Sequence, residues 1–378
     1  MKNALAVIMF IHGIIHSMGF LKAFKLAGVE QLRQPISKLG GLFWLIGCVL
    51  FLVTAILYWI GNKYWWLIGL PAVLVSQILV IYFWSDAKFG TLANGIVLLT
   101  CLAGFFAYNF FNKYELDTRV GLQQEDYFGP SVLTEQDMEH LPEPVKKYLR
   151  YTGSVGKPKV NHFMVEFEGK IRKDEKSEWM TFTSEQHNFM HTPTRLFFMK
   201  AVMKQLPVAG YHCYFNGKAL MDIRLFSLIK VQYMDGAEMD KAETVTFFND
   251  MCCMAPPTLI DQRIKWEDKG NNVVNAIFTN NGISITADLY FNDEGQLINF
   301  KSNDRYNAEA GRRLPWATPL KNYKSINGYT LAGSAETIYS YPDKDFCYGT
   351  FETKSVSYNV NEKYLYTFTF EECTAKHF

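Results

Sequence analysis

The stretch Val160-Asn-His-Phe163-Met-Val165-Glu-Phe167-Glu-Gly-Lys-Ile171-Arg172 decides the fold of the larger part of this chain. Its apolar side chains recur at every second position, from Phe163 through Val165 to Phe167, and again at Ile171. Successive side chains of a strand point to opposite faces, so a period of two predicts a β-strand with one buried face. We therefore predict a strand over residues 160–172.

The same alternation continues through the C-terminal two-thirds of the chain. It predicts further strands over residues 179–189, 195–203, 211–215, 219–226, 263–267, 273–278, 284–291, 297–305, 333–341 and 348–358. Asn-Gly pairs such as Asn216-Gly217 and Asn327-Gly328 separate several of them and are typical of tight hairpin turns. A helical insertion over 241–254 ends before Pro256-Pro257. The pattern has no parallel βαβ units and no Gly-rich phosphate loop.

The first third of the chain has a different composition. Nearly uncharged apolar segments occupy residues 4–21, 39–60, 64–84 and 89–111. A bilayer core of about 30 Å is crossed by roughly 20 helical residues, so each segment is long enough to span it. Trp59, Trp65, Trp66 and Trp84 lie at segment ends, where indole rings favour the membrane interface. We predict four transmembrane helices.

The charges of the chain separate the same two parts. Residues 1–112 carry seven basic and two acidic side chains, whereas the remaining 266 residues carry 31 and 35. Basic residues are concentrated in the loops after the first and third segments, which contain Lys22, Lys25, Arg33, Lys38 and Lys88. The positive-inside rule places these loops in the cytoplasm. We predict a multi-pass protein of the bacterial inner membrane whose C-terminal domain is extracytoplasmic.

Together these patterns predict an α+β protein, in which a four-helix transmembrane bundle is followed by a large curved antiparallel β-sheet, or half-barrel, with an inserted helix. The predicted parts are a transmembrane domain over 1–112, a juxtamembrane connector and helix over 113–152, and the half-barrel over 153–378. The lipid bilayer is the expected partner. Nucleic acid is excluded as a partner because the sequence has no basic stripe and no nucleic-acid motif.

Two histidines are candidates for an intramembrane metal site. His12 and His16 are four residues apart and share one face of the first helix. Gln77 and Asn94 lie at similar depths in the third and fourth segments. The pair is therefore interpreted either as a metal, haem or proton-relay site or as part of an interhelical hydrogen-bond cluster. The sequence identifies no cofactor.

The predicted sheet is rich in aromatic side chains at alternating positions, and we expect them to share one face. The set comprises Phe163, Phe167, Phe182, Phe189, Phe197, Phe198, Tyr211, Tyr214, Phe226 and Tyr233. Such a face is either a core packed under the inserted helix or an apolar cavity for a ligand. For a cavity, Phe167 and Phe198 are the candidate ligand contacts. Arg305, Tyr306 and Trp316, next to a predicted loop over 307–319, are the candidate rim contacts for a lipid head group.

Motifs for catalysis are weak. No Gly-x-Ser-x-Gly elbow and no close carboxylate pair is present, so no catalytic residue is predicted. Five cysteines of irregular spacing in the C-terminal part do not form a disulfide framework. His187 and His191 lie near each other and could approach His162 or His212, as a zinc site or as hydrogen-bonded histidines.

Four phrases of the sequence resemble a family of bacterial membrane-anchored proteins known as a domain of unknown function. They run over residues 10–20 (FIHGIIHSMGF), 141–153 (LPEPVKKYLRYTG), 246–256 (TFFNDMCCMAP) and 303–306 (NDRY). The resemblance covers most of the chain and implies no catalytic residues.

The strand-and-turn layout, notably residues 287–295 (ADLYFNDEG), is also similar to periplasmic lipoprotein-carrier domains. That likeness implies an open antiparallel half-barrel whose apolar concave face holds acyl chains under a helical lid. Carriers of this kind are commonly free or lipid-anchored, whereas this domain follows four apolar segments. Local capture or sensing of a ligand is therefore expected rather than transport across the periplasm.

The leading interpretation is an integral membrane protein whose half-barrel binds a lipid or another apolar small molecule without catalysis. One alternative is a membrane enzyme or redox protein with a metal or haem site at His12 and His16. Another is a structural module of an envelope complex.

Overall fold

The computed structural model of this 378-residue chain describes residues 2–124 and 131–360. The chain divides into two compact units between Asn112 and Lys113. Parts of the predicted connector and half-barrel fall on residues 125–130 and 361–378, outside the described residues, as do Cys373 and His377.

The first unit is helical. Its elements are α1 (Lys2–Ala23), α2 (Lys38–Trp59), α3 (Trp65–Tyr82), the short α4 (Trp84–Ala87) and the first part of α5 (Gly90–Gln124). The helices α1, α2, α3 and α5 are long and apolar enough to cross a membrane, which confirms the prediction of four apolar helices of this length.

Helix α5 is longer than predicted. The apolar segment was expected to end at residue 111, but the helix continues without interruption to Gln124. Residues 113–124 contain no proline and are mostly good helix formers, so nothing in the local sequence ends the helix there. Its residues from Lys113 onward belong to the second unit.

In its described residues the second unit contains two further α-helices, 17 strands and two short 3-10 helices at Gln136–Met138 and Pro256–Ile260. The helices are α6 (Glu143–Tyr151) and α7 (Ala237–Met254). The strands are β1 (His162–Ile171), β2 (Met180–Phe189), β3 (Thr194–Met203), β4 (Leu206–Phe215), β5 (Lys218–Leu225), β6 (Ile229–Asp235), β7 (Ile264–Asp268), β8 (Val273–Asn280), β9 (Ile283–Phe291), β10 (Leu297–Ser302), β11 (Tyr306–Asn307), β12 (Arg312–Arg313), β13 (Trp316–Lys321), β14 (Lys324–Ile326), β15 (Tyr329–Leu331), β16 (Ser334–Ser340) and β17 (Asp345–Tyr358).

Thirteen of these strands form one open antiparallel sheet in the order β6-β5-β4-β3-β2-β1-β17-β16-β13-β10-β9-β8-β7. The sheet consists of two meanders that are joined where β1 pairs with β17. Strands β6 and β7 are its two edges, and α7 connects them along the chain. These findings confirm the predicted antiparallel sheet with an inserted helix.

The contacts of α7 require the sheet to be curved. Asp250 of this helix contacts Arg195 of β3, and Phe248, two residues earlier, contacts Phe278 of β8. Strands β3 and β8 are eight places apart in the strand order, which is roughly 38 Å in a flat sheet at about 4.8 Å per strand. The 18 residues of α7 span only about 27 Å. A flat sheet does not permit both contacts, so its two halves curl around the helix.

The sheet has an inner face, which packs on α7, and an outer face, which packs on residues 113–124 of α5. Phe197 lies on the inner face with Gln186 and His212, its partners on β2 and β4. Phe198 is buried on the outer face, where its ring lies 5.6 Å from that of Tyr114 of α5.

The prediction of one continuous aromatic face is therefore wrong. Phe163, Phe167, Phe197 and Tyr214 belong to the inner face, whereas the outer face takes Phe189, Phe198 and Tyr211. Phe197 and Phe198 are neighbours in one strand and must point in opposite directions. The aromatic side chains are divided between two layers of packing.

Two strands of the main sheet were missed. The predicted loop over 307–319 contains β12 and the start of β13, in which Pro319 pairs with Asn299 of β10. Proline inside a strand argues against a strand assignment, and here tertiary pairing outweighs that signal. The edge strand β6 was also missed, because its alternation is confined to seven residues on an exposed edge.

Glycine 169 provides a test of the close pairing between β1 and β17. A Cβ atom at Gly169 would collide with the carbonyl oxygen of Thr350 and with the ring of Phe182. Because backbone atoms cannot move aside, we expect Gly169→Ala to lower the free energy of unfolding by about 1–3 kcal/mol. Thermal unfolding of the detergent-purified full chain measures this change.

The matched control is Gly210→Ala in β4, where the nearest atom to an added Cβ is 3.6 Å away. This variant should be neutral or slightly more stable, since alanine is less flexible than glycine in the unfolded chain. Equal losses in both variants would contradict the proposed cause.

Candidate functional site

Helix α7 is buried on all sides. Fifteen of its 18 residues are buried, including three of its four acidic residues, Asp240, Glu243 and Asp250. Phe247 and Phe248 pack against Phe278 of β8, with ring centroids 6.0 and 5.3 Å apart. Helices buried all round are normally apolar, so the carboxylates of α7 require partners in the sheet.

Arg195 of β3 pairs with two of these carboxylates. Its Nε donates to Asp250 Oδ2 at 2.7 Å and its Nη1 donates to Glu243 Oε2 at 3.1 Å. Gln186 accepts from Nη2 at 3.0 Å and donates to Asp250 at 2.7 Å. His212 Nδ1 lies 3.7 Å from Glu243 Oε1. We call Gln186, Arg195, His212, Glu243 and Asp250 the Arg195 cluster.

Local geometry explains how the Arg195 cluster forms. Glu243 and Asp250 are seven residues apart, so they lie on one face of α7 about two turns from each other. Gln186, Arg195 and His212 occupy inner-face positions of three adjacent strands. The side chains of Arg195 and Glu243 are only 7% and 2% exposed, so solvent screens their attraction weakly.

The two carboxylates of the Arg195 cluster differ in pKa. Burial by itself raises the pKa of Glu243, but Arg195 and then His212 outweigh it and hold the pKa at about 2. Burial also raises the pKa of Asp250, and there Arg195 offsets burial only in part, so the pKa stays above its ordinary value. Glu243 is therefore the carboxylate whose charge the fold stabilises.

A second arginine holds α7 from the other meander. Arg305 donates through Nη1 to the carbonyl of Ala242 at 3.1 Å and to the hydroxyl of Thr246. Its Nε donates to the hydroxyl of Tyr339 at 3.2 Å, and its guanidinium lies 4.5 Å from the ring centroid of Trp316. The helix is thus bound by polar contacts to both halves of the sheet.

The structure brings three of the predicted ligand-binding residues together. Arg305 and Trp316 are stacked, and Tyr306 contributes its carbonyl oxygen to the hydroxyl of Tyr339 at 3.1 Å. Trp316 is buried and donates through Nε1 to Tyr348 at 3.0 Å. Their described contacts are with the helix and the sheet, so head-group contact by these residues stays a prediction.

The other two predicted ligand contacts are not brought together. Phe167 is buried on the inner face, within the core that contains α7. Phe198 is buried on the outer face, against Tyr114 and Tyr211. One cavity cannot be lined by both rings, because the sheet lies between them.

Two histidines meet on the outer face. His162 Nε2 lies 2.9 Å from His187 Nδ1, and His187 Nε2 lies 3.6 Å from Glu185 Oε1. Glu185 also accepts from the hydroxyl of Tyr114 at 2.9 Å. Burial and the neighbouring His187 hold the pKa of His162 well below its ordinary value. His212 lies on the inner face, so it does not join this pair.

The cysteines that follow Asp250 are core residues. Cys252 and Cys253 are buried, and burial raises the pKa of both thiols well above the ordinary value. A thiolate is the reactive form of cysteine, so this environment disfavours nucleophilic chemistry at either position.

The intramembrane polar residues form a hydrogen-bonded cluster. His12 Nε2 lies 2.9 Å from Asn94 Oδ1 and 3.3 Å from Ser76 Oγ, and Asn94 donates to Gln77 at 3.0 Å. His16 Nδ1 lies 2.9 Å from the carbonyl oxygen of His12. This geometry matches the interhelical hydrogen-bond interpretation.

Within residues 2–124 and 131–360, no group of three or more His, Cys, Asp or Glu side chains is arranged to hold a metal ion. The metal or haem interpretation of His12 and His16 stays a prediction.

The Arg195 cluster was missed by sequence reasoning. Its members are separated by up to 64 residues and belong to four elements, so no local spacing marks them. The signal was present in α7 itself. The stretch 243–254 (ETVTFFNDMCCM) is too apolar for a surface helix, so its acidic residues had to be buried and paired.

Comparison with known protein families identifies the family of the chain. The model of DUF6544, a family of unknown function, matches residues 131–351, which is more than half of the sequence. This chain belongs to the DUF6544 family. The matched region contains three of the four phrases that suggested such a family, and the intramembrane phrase over residues 10–20 lies outside it. No curated protein matches this DUF6544 sequence significantly.

Several solved structures are similar to the DUF6544 chain at low sequence identity. A putative outer membrane lipoprotein-sorting protein domain from Vibrio parahaemolyticus is 9% identical, with 54% of this chain and 88% of that chain covered and a TM-score of 0.34. A DUF1329 family protein from Desulfovibrio piger is 10% identical, with 57% and 92% covered and a TM-score of 0.32. A LolA superfamily protein from Nitrosomonas europaea is 8% identical, with 58% and 96% covered and a TM-score of 0.27.

The unequal carboxylates of the Arg195 cluster lead to a prediction. Glu243→Gln should lower the free energy that holds α7 on the sheet by up to about 3 kcal/mol at pH 7, since each pH unit of pKa shift corresponds to about 1.4 kcal/mol. Because the folded pKa of Glu243 is depressed, this stabilisation is fully present above its unfolded value of 4.5 and is lost as pH falls towards 2. Hydrogen exchange of the α7 amides in the full chain measures the loss.

Asp250→Asn is the matched control. The raised pKa of Asp250 means that its charge is disfavoured by burial, and an amide oxygen can still accept from Arg195 and Gln186. We expect a smaller increase in exchange than for Glu243→Gln. The reverse order would contradict the account of which charge the fold stabilises.

The intramembrane cluster leads to a second prediction. Asn94→Ala removes the acceptor of His12 and should destabilise the helical unit by about 0.6–1 kcal/mol. Asn109→Ala is the control in the same helix, since Asn109 donates to the carbonyl of Phe105 one turn earlier. Steric trapping or thermal denaturation in detergent compares the two variants. A larger loss for Asn109→Ala would exclude the interhelical role of Asn94.

Proposed function

We propose that this DUF6544 protein is an integral membrane protein whose sheet domain binds a lipid or another apolar ligand on its inner face, beneath α7, without a catalytic step. The domain would be extracytoplasmic, at the inner membrane, as the charges of the short loops indicate. The observation that carries the proposal is the Arg195 cluster, which places buried charges between one helix and a sheet whose core is mainly apolar.

A buried ion pair is a more useful contact for a helix that leaves and returns to the sheet than for a helix that is always packed on it. Well-packed apolar side chains often stabilise a permanent core as well as a buried ion pair does. When α7 leaves the sheet, the separated charges are hydrated, which offsets part of the cost of opening. When it returns, the geometry of Arg195 specifies one closed position. The cluster is therefore interpreted as a latch.

The surface under α7 has the chemistry of an acyl-chain site. Phe278 and Phe300 contact Phe248 of the helix, and Phe197 and Tyr214 belong to the same buried core. Exposure of this apolar surface to water is unfavourable. Opening would therefore be coupled to the arrival of an apolar ligand that covers the same surface.

The ends of α7 permit such a movement. Gly236, at its start, has a φ of +89°, a conformation that side chains rarely adopt, and an added Cβ atom there would meet no atom within 4 Å. Ala255, Pro256 and Pro257 follow its last residue, so the helix cannot extend into the next segment. Both ends are points at which the backbone direction changes.

A structural module of an envelope complex is the second candidate function. The observation that favours it is the burial of 15 of the 18 residues of α7, because in this conformation the helix itself occupies the inner face. A permanent core and a closed binding site have the same geometry. An experiment that changes the mobility of α7 separates the two functions.

Photochemical labelling of the full chain in nanodiscs provides that experiment. The discs contain a phospholipid that carries a diazirine near the end of one acyl chain, and adducts are mapped by mass spectrometry. We expect adducts on Phe197 of the inner face and on Met251 of α7, and fewer on Phe198, the adjacent outer-face control. Glu243→Gln, which weakens the latch, should increase inner-face adducts.

A reversible lock supplies the opposite perturbation. Asn249 Nδ2 contacts both Cys253 of α7, at 3.5 Å, and Thr318 of β13, at 2.6 Å. Thr318→Cys therefore places a second thiol beside Cys253. Oxidation should suppress inner-face adducts, and reduction of the same sample should restore them. Labelling that is absent from the inner face, or unchanged by both perturbations, would favour the structural module.

A further inference from the structure

Two adjacent hairpin ends form an exposed edge of the sheet domain. Strands β3 and β4 are joined at Lys204-Gln205, and β5 and β6 are joined at residues 226–228. The amide of Phe226 donates to the carbonyl of Pro207 at 2.9 Å, so the two ends are held side by side. We call residues 200–208 and 224–232 the hairpin tips.

The hairpin tips expose apolar side chains to an unusual degree. The exposed fractions are 38% for Val202 and Leu206, 48% for Leu228, 54% for Ile229 and 52% for Val231. Single exposed apolar residues are normal on a protein surface, whereas a cluster of five marks a surface that contacts something apolar.

The charges of the hairpin tips are all basic. Lys200, Lys204, Arg224 and Lys230 lie in these 18 positions, and the two ranges contain no acidic residue. Asp222 neutralises Arg224 at 2.6 Å, while Lys204 and Lys230 are exposed. The C-terminal 266 residues carry a net negative charge, so the charge of the hairpin tips is opposite in sign to the net charge of this part of the chain. Lysine beside exposed aliphatic side chains is the pattern of an interfacial membrane contact.

The turns at the hairpin tips are strained. Lys204 and Gln205 have φ values of +49° and +70°, and Phe226 and Ser227 have φ values of +53° and +55°. Other hairpins of the same domain use an asparagine and a glycine for this conformation, as at Asn216-Gly217. A residue other than glycine has a higher conformational energy in the left-handed region. The presence of four such residues here indicates that their side chains have a function.

Residues 113–124 of α5 have a defined direction relative to the hairpin tips within the sheet domain. Tyr114 contacts Phe198 in the middle of β3, and Gly121 lies against Phe189, at the opposite end of the strands from Lys204. Residues 113–124 therefore run away from the hairpin tips. The chain enters this domain from the side of the hairpin tips, directly after a segment of α5 that is apolar enough to span a membrane.

We propose that the hairpin tips insert into the head-group region of the bilayer and bind anionic phospholipid. The aliphatic side chains of Leu228 and Ile229 reach the upper acyl chains, while Lys204 and Lys230 contact lipid phosphates. The exposed apolar residues of this surface lie at the ends of the strands and do not belong to the buried core that contains α7. The membrane contact does not depend on binding beneath α7.

Shallow photolabelling tests the proposal. The full chain is placed at one molecule per nanodisc, with a phospholipid that carries its diazirine beside the glycerol, and the discs contain either neutral or anionic lipid. We expect adducts on peptides that contain residues 200–208 and 224–232. The reference surface is Ile277 and Ile298, whose exposed fractions of 38% and 40% are similar to those of Val202 and Leu206. Equal labelling of both surfaces would overturn the proposal.

Substitutions separate the apolar and the charged contributions. Leu228→Glu with Ile229→Glu should remove the adducts at the hairpin tips, whereas Ile277→Glu with Ile298→Glu should leave them unchanged. Lys204→Gln and Lys230→Gln should each reduce labelling in anionic discs by about fivefold, with little change in neutral discs. Adducts that do not respond to any of these changes would contradict the assigned contacts.

A second copy of the chain is the competing occupant. This alternative predicts cross-links between the hairpin tips of two chains when discs hold two chains. It also predicts no lipid adduct at the hairpin tips when each disc holds one chain. Together these two results would assign the surface to a dimer and overturn the membrane contact. Failure of inner-face labelling leaves this test intact, since the adducts of the two sites fall on different peptides.

Discussion

A buried guanidinium is stable only when it is paired with hydrogen-bond acceptors. For Arg195 these acceptors are Glu243 and Asp250, which reach it because α7 lies across the inner face. The dependence is mutual, since Glu243 and Asp250 would be unpaired carboxylates in an apolar core without that arginine. The helix, the three strands that carry the cluster and the curvature of the sheet are therefore fixed together. Arg305 repeats the arrangement from the second meander, so both halves of the sheet are tied to one helix.

The pairing of β1 with β17 sets a second constraint. The register joins Phe163 to Tyr358, nearly 200 residues apart in sequence, and it is the step that turns two meanders into one sheet. Each meander consists of local hairpins, whereas this pairing requires closure of a long loop. At Gly169 of this pairing there is no room for a side chain beside the carbonyl oxygen of Thr350. The domain is complete only after that contact has formed.

Much of this architecture could be predicted from the sequence, and the reasons are local. Apolar segments of membrane length identified the helices, and alternation with Asn-Gly turns identified most strands. The face of each aromatic was harder to assign, because the parity of a strand distinguishes Phe197 from Phe198 but does not state which layer is inside. The Arg195 cluster could not be found from spacing, since its members meet only through sheet order and the position of α7. The predicted end of α5 at residue 111 rested only on the loss of hydropathy there. No helix-terminating residue occurs at that point, so the predicted helix was too short.

The connection of the two sheet edges by α7 has a mechanical consequence. The chain between the edge strands β6 and β7 consists of Gly236, the stiff helix α7 of about 27 Å, and residues 255–263. A helix resists stretching, so a wider separation of the two edges must be taken up by residues 255–263 or by a displacement of α7. Because α7 is also bound to both meanders through Arg195 and Arg305, the separation of the edges and the position of the helix are coupled. Any change in the curvature of this sheet would therefore require a movement of one helix.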